Sequence, residues 1–313
     1  MLKPKRLKTG DTIGIVSPAT GMDKSDIWRA VEAFEGYGFK VKVGQHAYDN
    51  YYYLAGSDKA RAADLNTFFA DPSIDAIFCS QGGYGSPRIL DEIDYEVIRQ
   101  NPKIFIGYSD ITALHLAIYK KAGLVTFHGP NATGIYGEYA TKYRMGYLFK
   151  ALCCERPIGK IIMADPDKYL VKVTPGKVSG KTIGGNLSLI CELIGTPYEV
   201  NTEGKILFLE EIGSDIQDID SRLTQLLNTG KLQAASGIVI GECTDCTSDI
   251  YDKGRTLEDL IFDRIGNLGI PAIWGLPIGH THDLATIPIG VNATLDATKG
   301  EFIILETATE YYS

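Results

Sequence analysis

Through the first half of the chain, short apolar runs alternate with amphipathic stretches. Thr12-Ile13-Gly14-Ile15-Val16-Ser17 stops at Pro18 and predicts a strand. Over residues 24–37, Ile27, Val31 and Phe34 share one helical face, and Gly38 ends the pattern. Lys40-Val41-Lys42-Val43 alternates as a strand does. Residues 58–70 predict a polar-faced helix that carries Ala63, Leu65 and Phe69. Ala76-Ile77-Phe78-Cys79 predicts a buried strand, and Gly82-Gly83-Tyr84-Gly85 follows it. A helix can start over residues 86–93, the next strand covers 103–107, and its helix covers 111–122. This alternation predicts a parallel sheet with helices on both faces.

The pattern changes after a helix around residues 143–152. Between Arg156 and Thr182, Pro157, Pro166, Pro175, Gly159, Gly176 and Gly180 interrupt short Val/Ile/Lys runs, and the linker is placed there. Strands are predicted over 204–209, 237–241, 270–274 and 301–305, and helices over 219–229 and 257–265. The expected organisation is an α/β domain over residues 1–160 and a β-rich α+β domain over residues 161–313.

A length of 313 residues agrees with two domains of about 150 residues each. With 44% hydrophobic and 22% charged residues, a mainly disordered chain is excluded. The net charge of −8 argues against a nucleic-acid partner, which calls for a basic face. The basic N-terminus is not followed by an apolar stretch of signal-peptide length, and no apolar run approaches a membrane span. A cytoplasmic protein without a membrane partner is expected. Cys79, Cys153, Cys154, Cys191, Cys243 and Cys246 are scattered, as free thiols in a reducing compartment would be. Cys243 and Cys246 form one C-x-x-C. The second pair that a zinc site would need is missing, so structural thiols and a redox motif remain.

Four segments could carry chemistry. Ile104-Phe105-Ile106-Gly107-Tyr108-Ser109-Asp110-Ile111-Thr112 runs an apolar strand into a turn and then a helix. That is the layout of a nucleophile elbow, with the amide after Ser109 as an oxyanion donor, although Ile111 stands where G-x-S-x-G has its second glycine. The alternative is an ordinary helix cap by Ser109 or Asp110. The Gly82–Gly83 loop also follows a strand, where an amide could face a ligand or simply make a left-handed turn. Lys205-Ile206-Leu207-Phe208-Leu209-Glu210-Glu211 is an apolar strand ending in two acids. Glu210 is either a rim carboxylate that orients an imidazole or one of a pair of solvated loop acids. Among the histidines, His115 reads as a core or helix-face residue, and His46 and His128 sit at strand ends. His280 lies on a glycine-bounded loop suited to a general base. His280 with His282 would also fit two positions of a metal site, but no third ligand is evident.

The chain resembles the LD-carboxypeptidases, the muramoyl-tetrapeptide carboxypeptidase family that includes the microcin C immunity proteins. The likeness rests on Gly10-Asp11-Thr12-Ile13-Gly14-Ile15-Val16-Ser17-Pro18-Ala19, Gly82-Gly83-Tyr84-Gly85-Ser86-Pro87-Arg88 and Gly107-Tyr108-Ser109-Asp110-Ile111-Thr112. Further matches are Gly184-Gly185-Asn186-Leu187-Ser188-Leu189 with Gly195-Thr196-Pro197, and the strand to Glu210-Glu211 leading to Ile219-Asp220-Ser221-Arg222-Leu223-Thr224-Gln225-Leu226. Gly279-His280 with Ile287-Pro288-Ile289-Gly290 completes the set. The resemblance implies a catalytic triad of Ser109, Glu210 and His280 divided between the two domains, with oxyanion amides from Gly83 and Asp110. It also implies a small muropeptide substrate, a homodimer and neither cofactor nor metal. The implied activity is release of D-alanine from an L,D bond of murein tetrapeptides during cell-wall recycling. Hydrolysis of microcin-type aminoacyl-nucleotide amides, or non-catalytic ligand binding, are the alternatives. Arg88 or the amides after Ser109 could recognise the substrate carboxylate. Gln81 and Glu211 depart from residues that several members carry, and Asn131 to Tyr143 matches poorly.

Overall fold

The computed structural model describes residues 1–165, 167–168, 170–246 and 254–310, so Pro166 of the expected linker lies outside the described residues. The chain divides into two compact units. One comprises Met1–Pro157, Thr286–Gly290 and Thr307–Ser313, the other Ile158–Ala285 and Val291–Glu306.

The first unit follows the alternation of its sequence. β1 (Thr12–Val16), α1 (Lys24–Gly36), β2 (Lys40–Val43), α2 (Asp58–Ala70), β3 (Ala76–Cys79), α3 (Tyr95–Gln100), β4 (Ile104–Gly107), α4 (Thr112–Ala122), β5 (Thr126–His128) and α5 (Lys142–Cys153) succeed one another. The segment Ser86–Glu92 is a 3-10 helix, entered through Gly85 at φ +116° and carrying Pro87 in its first turn. In sheet order the strands are β2-β1-β3-β4-β5, all parallel. Chain order reverses between β1 and β3, and in such sheets ligands bind beyond the carboxyl ends of the strands near that point. β3 and β4 are buried at every position because helices cover both faces.

One strand departs from the expected parallel sheet. β12 (Ile287–Ile289) returns from late in the chain and pairs antiparallel with β5, Ile287 opposite His128 and Ile289 opposite Thr126. Pro288 fits there because an edge strand has a side that donates no ladder bond. Arg61 of α2 is buried, and its Nη1 donates to Pro18 O and, at 2.9 Å, to Gly85 O. It thereby ties the segment after β1 to the glycine loop after β3.

The second unit contains β6 (Gly159–Ile161), β7 (Val171–Thr174), β8 (Lys177–Asn186), α6 (Leu187–Glu192), β9 (Ile206–Ile212), α7 (Ile216–Asn228), α8 (Lys231–Ala234), β10 (Gly237–Thr244), α9 (Leu257–Arg264), β11 (Ala272–Leu276), β13 (Asn292–Asp296) and β14 (Glu301–Ile304). Their order is β6-β14-β13-β8-β9-β10-β11-β7. The central β8 to β11 are parallel and the flanking pairs antiparallel. The stretch expected to be a linker therefore holds three strand starts. β6 and β7 form the two edges of the sheet, where the exposed Lys160 and Lys172 are tolerated and discourage further pairing.

Gly184 on β8 has φ +149°, and a Cβ there would stand 1.8 Å from Phe208 O on β9. Gly146 lies within α5 and a Cβ there would meet nothing within 4 Å. Gly184→Ala should cost more than about 3 kcal/mol of stability. Gly146→Ala should instead add about 0.4–1 kcal/mol. Chemical denaturation of both variants checks the contrast, and similar effects would refute it.

Candidate active site

β4 leads through an extended Tyr108 to Ser109, whose φ is +67°. A 3-10 turn, Ser109–Ile111, then feeds α4. The helix-cap alternative fails here. The N-cap of α4 is Ile111 and no side chain caps it. The Asp110 carboxylate instead accepts from Ser86 N at 2.7 Å, and its carbonyl accepts from Ser86 Oγ at 2.5 Å. Burial pushes the Asp110 carboxyl up, while the Ser86 hydrogen bonds pull it down. A non-glycine residue in the left-handed region costs roughly 1–2 kcal/mol, and such strain concentrates at functional turns.

The surroundings hold that turn. Asn131 Oδ1 accepts from Tyr108 N at 3.2 Å. His115 Nε2 donates to Gly107 O at 2.9 Å, which assigns its proton to Nε2. Glycine is required at 107, because a Cβ would lie 2.8 Å from Asn131 Oδ1. A Cβ on Gly82 would lie 2.7 Å from Ser109 Cβ and 3.1 Å from Ser109 Oγ, so the glycine loop packs directly on the serine. Gly83, at φ +101°, would place a Cβ 2.2 Å from Thr20 Oγ1, the atom that accepts from Tyr84 N at 2.9 Å. Gln81 Nε2 donates to Gly21 O at 2.6 Å. The Gly83 N–H donates to no protein group among the described residues.

Arg88 is paired with Asp58, with Nη2 2.9 Å from Oδ2, and the same carboxylate also pairs with the buried Arg61. His46 Nδ1 lies 2.8 Å from Asp49 Oδ2. His128 is fully buried, its ring edge-on to Tyr108 at 6.2 Å between centroids. Asn131, which supports the elbow, carried no signature beyond following Gly129-Pro130.

In the second unit β9 is buried from Ile206 to Glu211. Glu210 is 1% exposed and Glu211 3%, so neither is a solvated loop acid and Glu210 lies deeper than a strand rim. Adjacent strand residues point to opposite faces, and the two carboxylates have different partners. Glu210 Oε2 sits 2.7 Å from His280 Nδ1. Glu211 accepts from Asn186 Nδ2 at 3.1 Å, Ser188 N at 3.0 Å, Ser188 Oγ, and its neighbour Ile212 N at 3.0 Å. Arg222 Nη1 is 3.8 Å away.

Gly279 allows the His280 contact. At φ +93°, a Cβ there would stand 2.3 Å from Glu210 Oε2. Thr244 Oγ1 donates to His280 O at 2.8 Å and anchors the loop from β10. With Nδ1–H directed at a carboxylate, Nε2 is the imidazole atom left to take up a proton. Among the described residues, no three potential ligands gather as a metal site. Nor is any helix among them long and apolar enough to cross a membrane.

Residues 13–129 match the LD-carboxypeptidase N-terminal domain, and residues 179–295 the LD-carboxypeptidase C-terminal domain. These two matches define the chain as a peptidase. It belongs to the LD-carboxypeptidase family. The probable murein peptide carboxypeptidase of Bacillus subtilis (strain 168) is 39% identical over 302 residues, 96% of this chain and 94% of that protein. The microcin C7 self-immunity protein MccF of Escherichia coli is 32% identical over 329 residues, 96% of this chain and 94% of that one. A solved structure of MccF with glutamyl sulfamoyl guanosine superposes with a TM-score of 0.89 at 27% identity, covering 99% of this chain and all of that one.

His115 gives a pH-dependent test of the elbow's support. Burial lowers its pKa from 6.5 to about 4, against the pull of the Gly107 carbonyl. Between these values the unfolded chain binds a proton that the folded chain does not, so stability falls as pH drops from 6.5 towards 4. The contribution lost is up to about 3 kcal/mol. His115→Gln retains an N–H donor and should flatten that part of the stability curve. An identical pH slope in wild type and variant would contradict this assignment.

Proposed function

We propose that this protein is a serine LD-carboxypeptidase that releases D-alanine from the L,D bond of murein tetrapeptides in cytoplasmic cell-wall recycling. The observation that carries the serine mechanism is Ser109 held at φ +67° between a buried strand and the glycine loop. His280, paired with the buried Glu210, supplies a base of matching chemistry. The substrate class follows from the murein peptide carboxypeptidase relative.

In this mechanism Ser109 Oγ attacks the carbonyl carbon of the terminal amide while His280 Nε2 takes the hydroxyl proton. Glu210 fixes the imidazole through Nδ1–H and stabilises its cation. The N–H groups of Gly83 and Asp110 bind the oxyanion. His280 returns the proton to the departing amine of D-alanine. Water, activated by the same imidazole, then hydrolyses the acyl-enzyme and restores Ser109. Asp58 is shared by Arg88 and Arg61, so the cluster keeps a net positive charge, and Arg88 or the amides after Ser109 would meet the substrate carboxylate. A second reading, hydrolysis of aminoacyl-nucleotide amides, is favoured by the likeness to MccF.

Ser109→Ala and His280→Ala should each lower kcat by roughly 10⁴–10⁶-fold with little change in folding stability. Glu210→Gln should cost far more activity than Glu211→Gln, whereas Glu211→Gln should cost more stability. Full turnover by Ser109→Ala, or the reverse order for the two acids, would refute the mechanism.

Matched tetrapeptides ending in D-Ala or L-Ala, together with an aminoacyl sulfamoyl adenylate, test the substrate. Release of D-alanine alone is expected. Cleavage of the adenylate alone would establish the second reading, and equal cleavage of both peptides would remove the stereochemical claim.

A further inference from the structure

The mechanism leaves the C-x-x-C unused. Cys243 belongs to β10 and Cys246 follows it, so the pair brackets Thr244 and Asp245. Asp245 has φ +53°, one of three positive-φ residues other than glycine among the described residues. Both cysteines are free thiols, and the Cys246 thiol donates to Thr244 O at 3.5 Å. Cys243 stands opposite Glu211 in the β9–β10 register. It lines a cavity of about 430 Å³ together with Glu242 and Trp274, which brings a small reactant beside the C-x-x-C. Thr244, between the two cysteines, holds the His280 carbonyl at 2.8 Å.

We propose that Cys243 and Cys246 are a redox modification site, converted by a hydroperoxide into an intramolecular disulfide that displaces the Thr244 anchor of His280. The Cys246 thiolate attacks one peroxide oxygen; an S–O bond forms, the O–O bond breaks, and the leaving hydroxide (alkoxide, for an organic peroxide) is protonated. Cys243 sulfur then attacks the sulfenic sulfur. The S–S bond forms, the S–O bond breaks, and the second hydroxide takes the Cys243 proton to become water. The two thiols supply both electrons. The neighbouring Cys243 side chain lowers the Cys246 thiol's pKa, which suits Cys246 to the first step.

The consequence for His280 is mechanical. A disulfide holds its sulfurs about 2.05 Å apart with a fixed torsion, so closure must contract the turn between the two cysteines. Thr244 lies inside that turn, and misplacement by about 1 Å at a catalytic group is worth roughly 10²-fold in rate. The consequence for activity rests on the serine mechanism proposed above; the chemistry of the thiols does not.

The experiment treats the full-length protein with hydrogen peroxide and maps peptides by mass spectrometry before and after dithiothreitol. A 2-Da loss confined to the peptide linking Cys243 with Cys246 is expected, with an activity loss of at least 10-fold that dithiothreitol restores. Cys246→Ser should keep the basal rate and resist the loss. Failure of this disulfide to form, or its formation with undiminished turnover, would overturn the proposal. Without measurable turnover in the reduced protein, the peptide map still decides whether the site exists, and the serine mechanism fails separately.

Discussion

A serine backbone at φ +67° is less stable than the extended or helical conformation it replaces, so the rest of the first unit must hold it there. The restraint comes from several directions. The buried β4 fixes the approach, Asn131 takes the Tyr108 N–H, and His115 takes the Gly107 carbonyl. Ser86 binds Asp110 on the far side of the turn. These contacts explain why Gly107 and Gly82 have no side chain: at each, a Cβ would occupy space that the elbow or its support already fills. The turn is thus a product of the packed sheet and not of local preference.

The second unit solves a different problem, the burial of two adjacent acids. A buried carboxylate without partners is expensive, and partners offset that cost only when the geometry is good. Glu211 is held by amides, a hydroxyl and an arginine, so it joins β9 to the start of α6 and to α7. Glu210 has the His280 imidazole at 2.7 Å, and its Oε1 has no protein partner among the described residues. The first acid has a single imidazole partner, the second a network of several donors. Strand alternation alone separates these two environments by one residue.

Much of this was legible in the sequence because the first unit obeys local rules. Its buried strands are uninterrupted apolar runs, and its helices carry their apolar residues at helical spacing. Gly107-Tyr108-Ser109 and Gly279-His280 were legible as turns, and the structure gives each glycine a steric reason. What escaped depends on distant pairing. β6 and β7 look like linker because edge strands accept lysine and are bordered by glycine and proline. The antiparallel β12 is invisible locally, since its partner lies more than 150 residues earlier. The full burial of Glu210 and Glu211 was hidden because acids at the end of an apolar run resemble a solvated loop until α6 and the His280 loop cover them. Asn131 and Thr244 act by holding backbone, which ordinary polar residues do without a motif.

The central claim is that Ser109 is a nucleophile activated by the Glu210-bound His280. Labelling with an activity-directed organophosphonate, followed by peptide mapping, tests it without assuming a substrate. The account predicts a covalent adduct on Ser109 in the native protein, forming at least 10³-fold more slowly in His280→Ala. A native protein in which Ser109 stays unmodified, or an adduct that forms equally fast without His280, would contradict it.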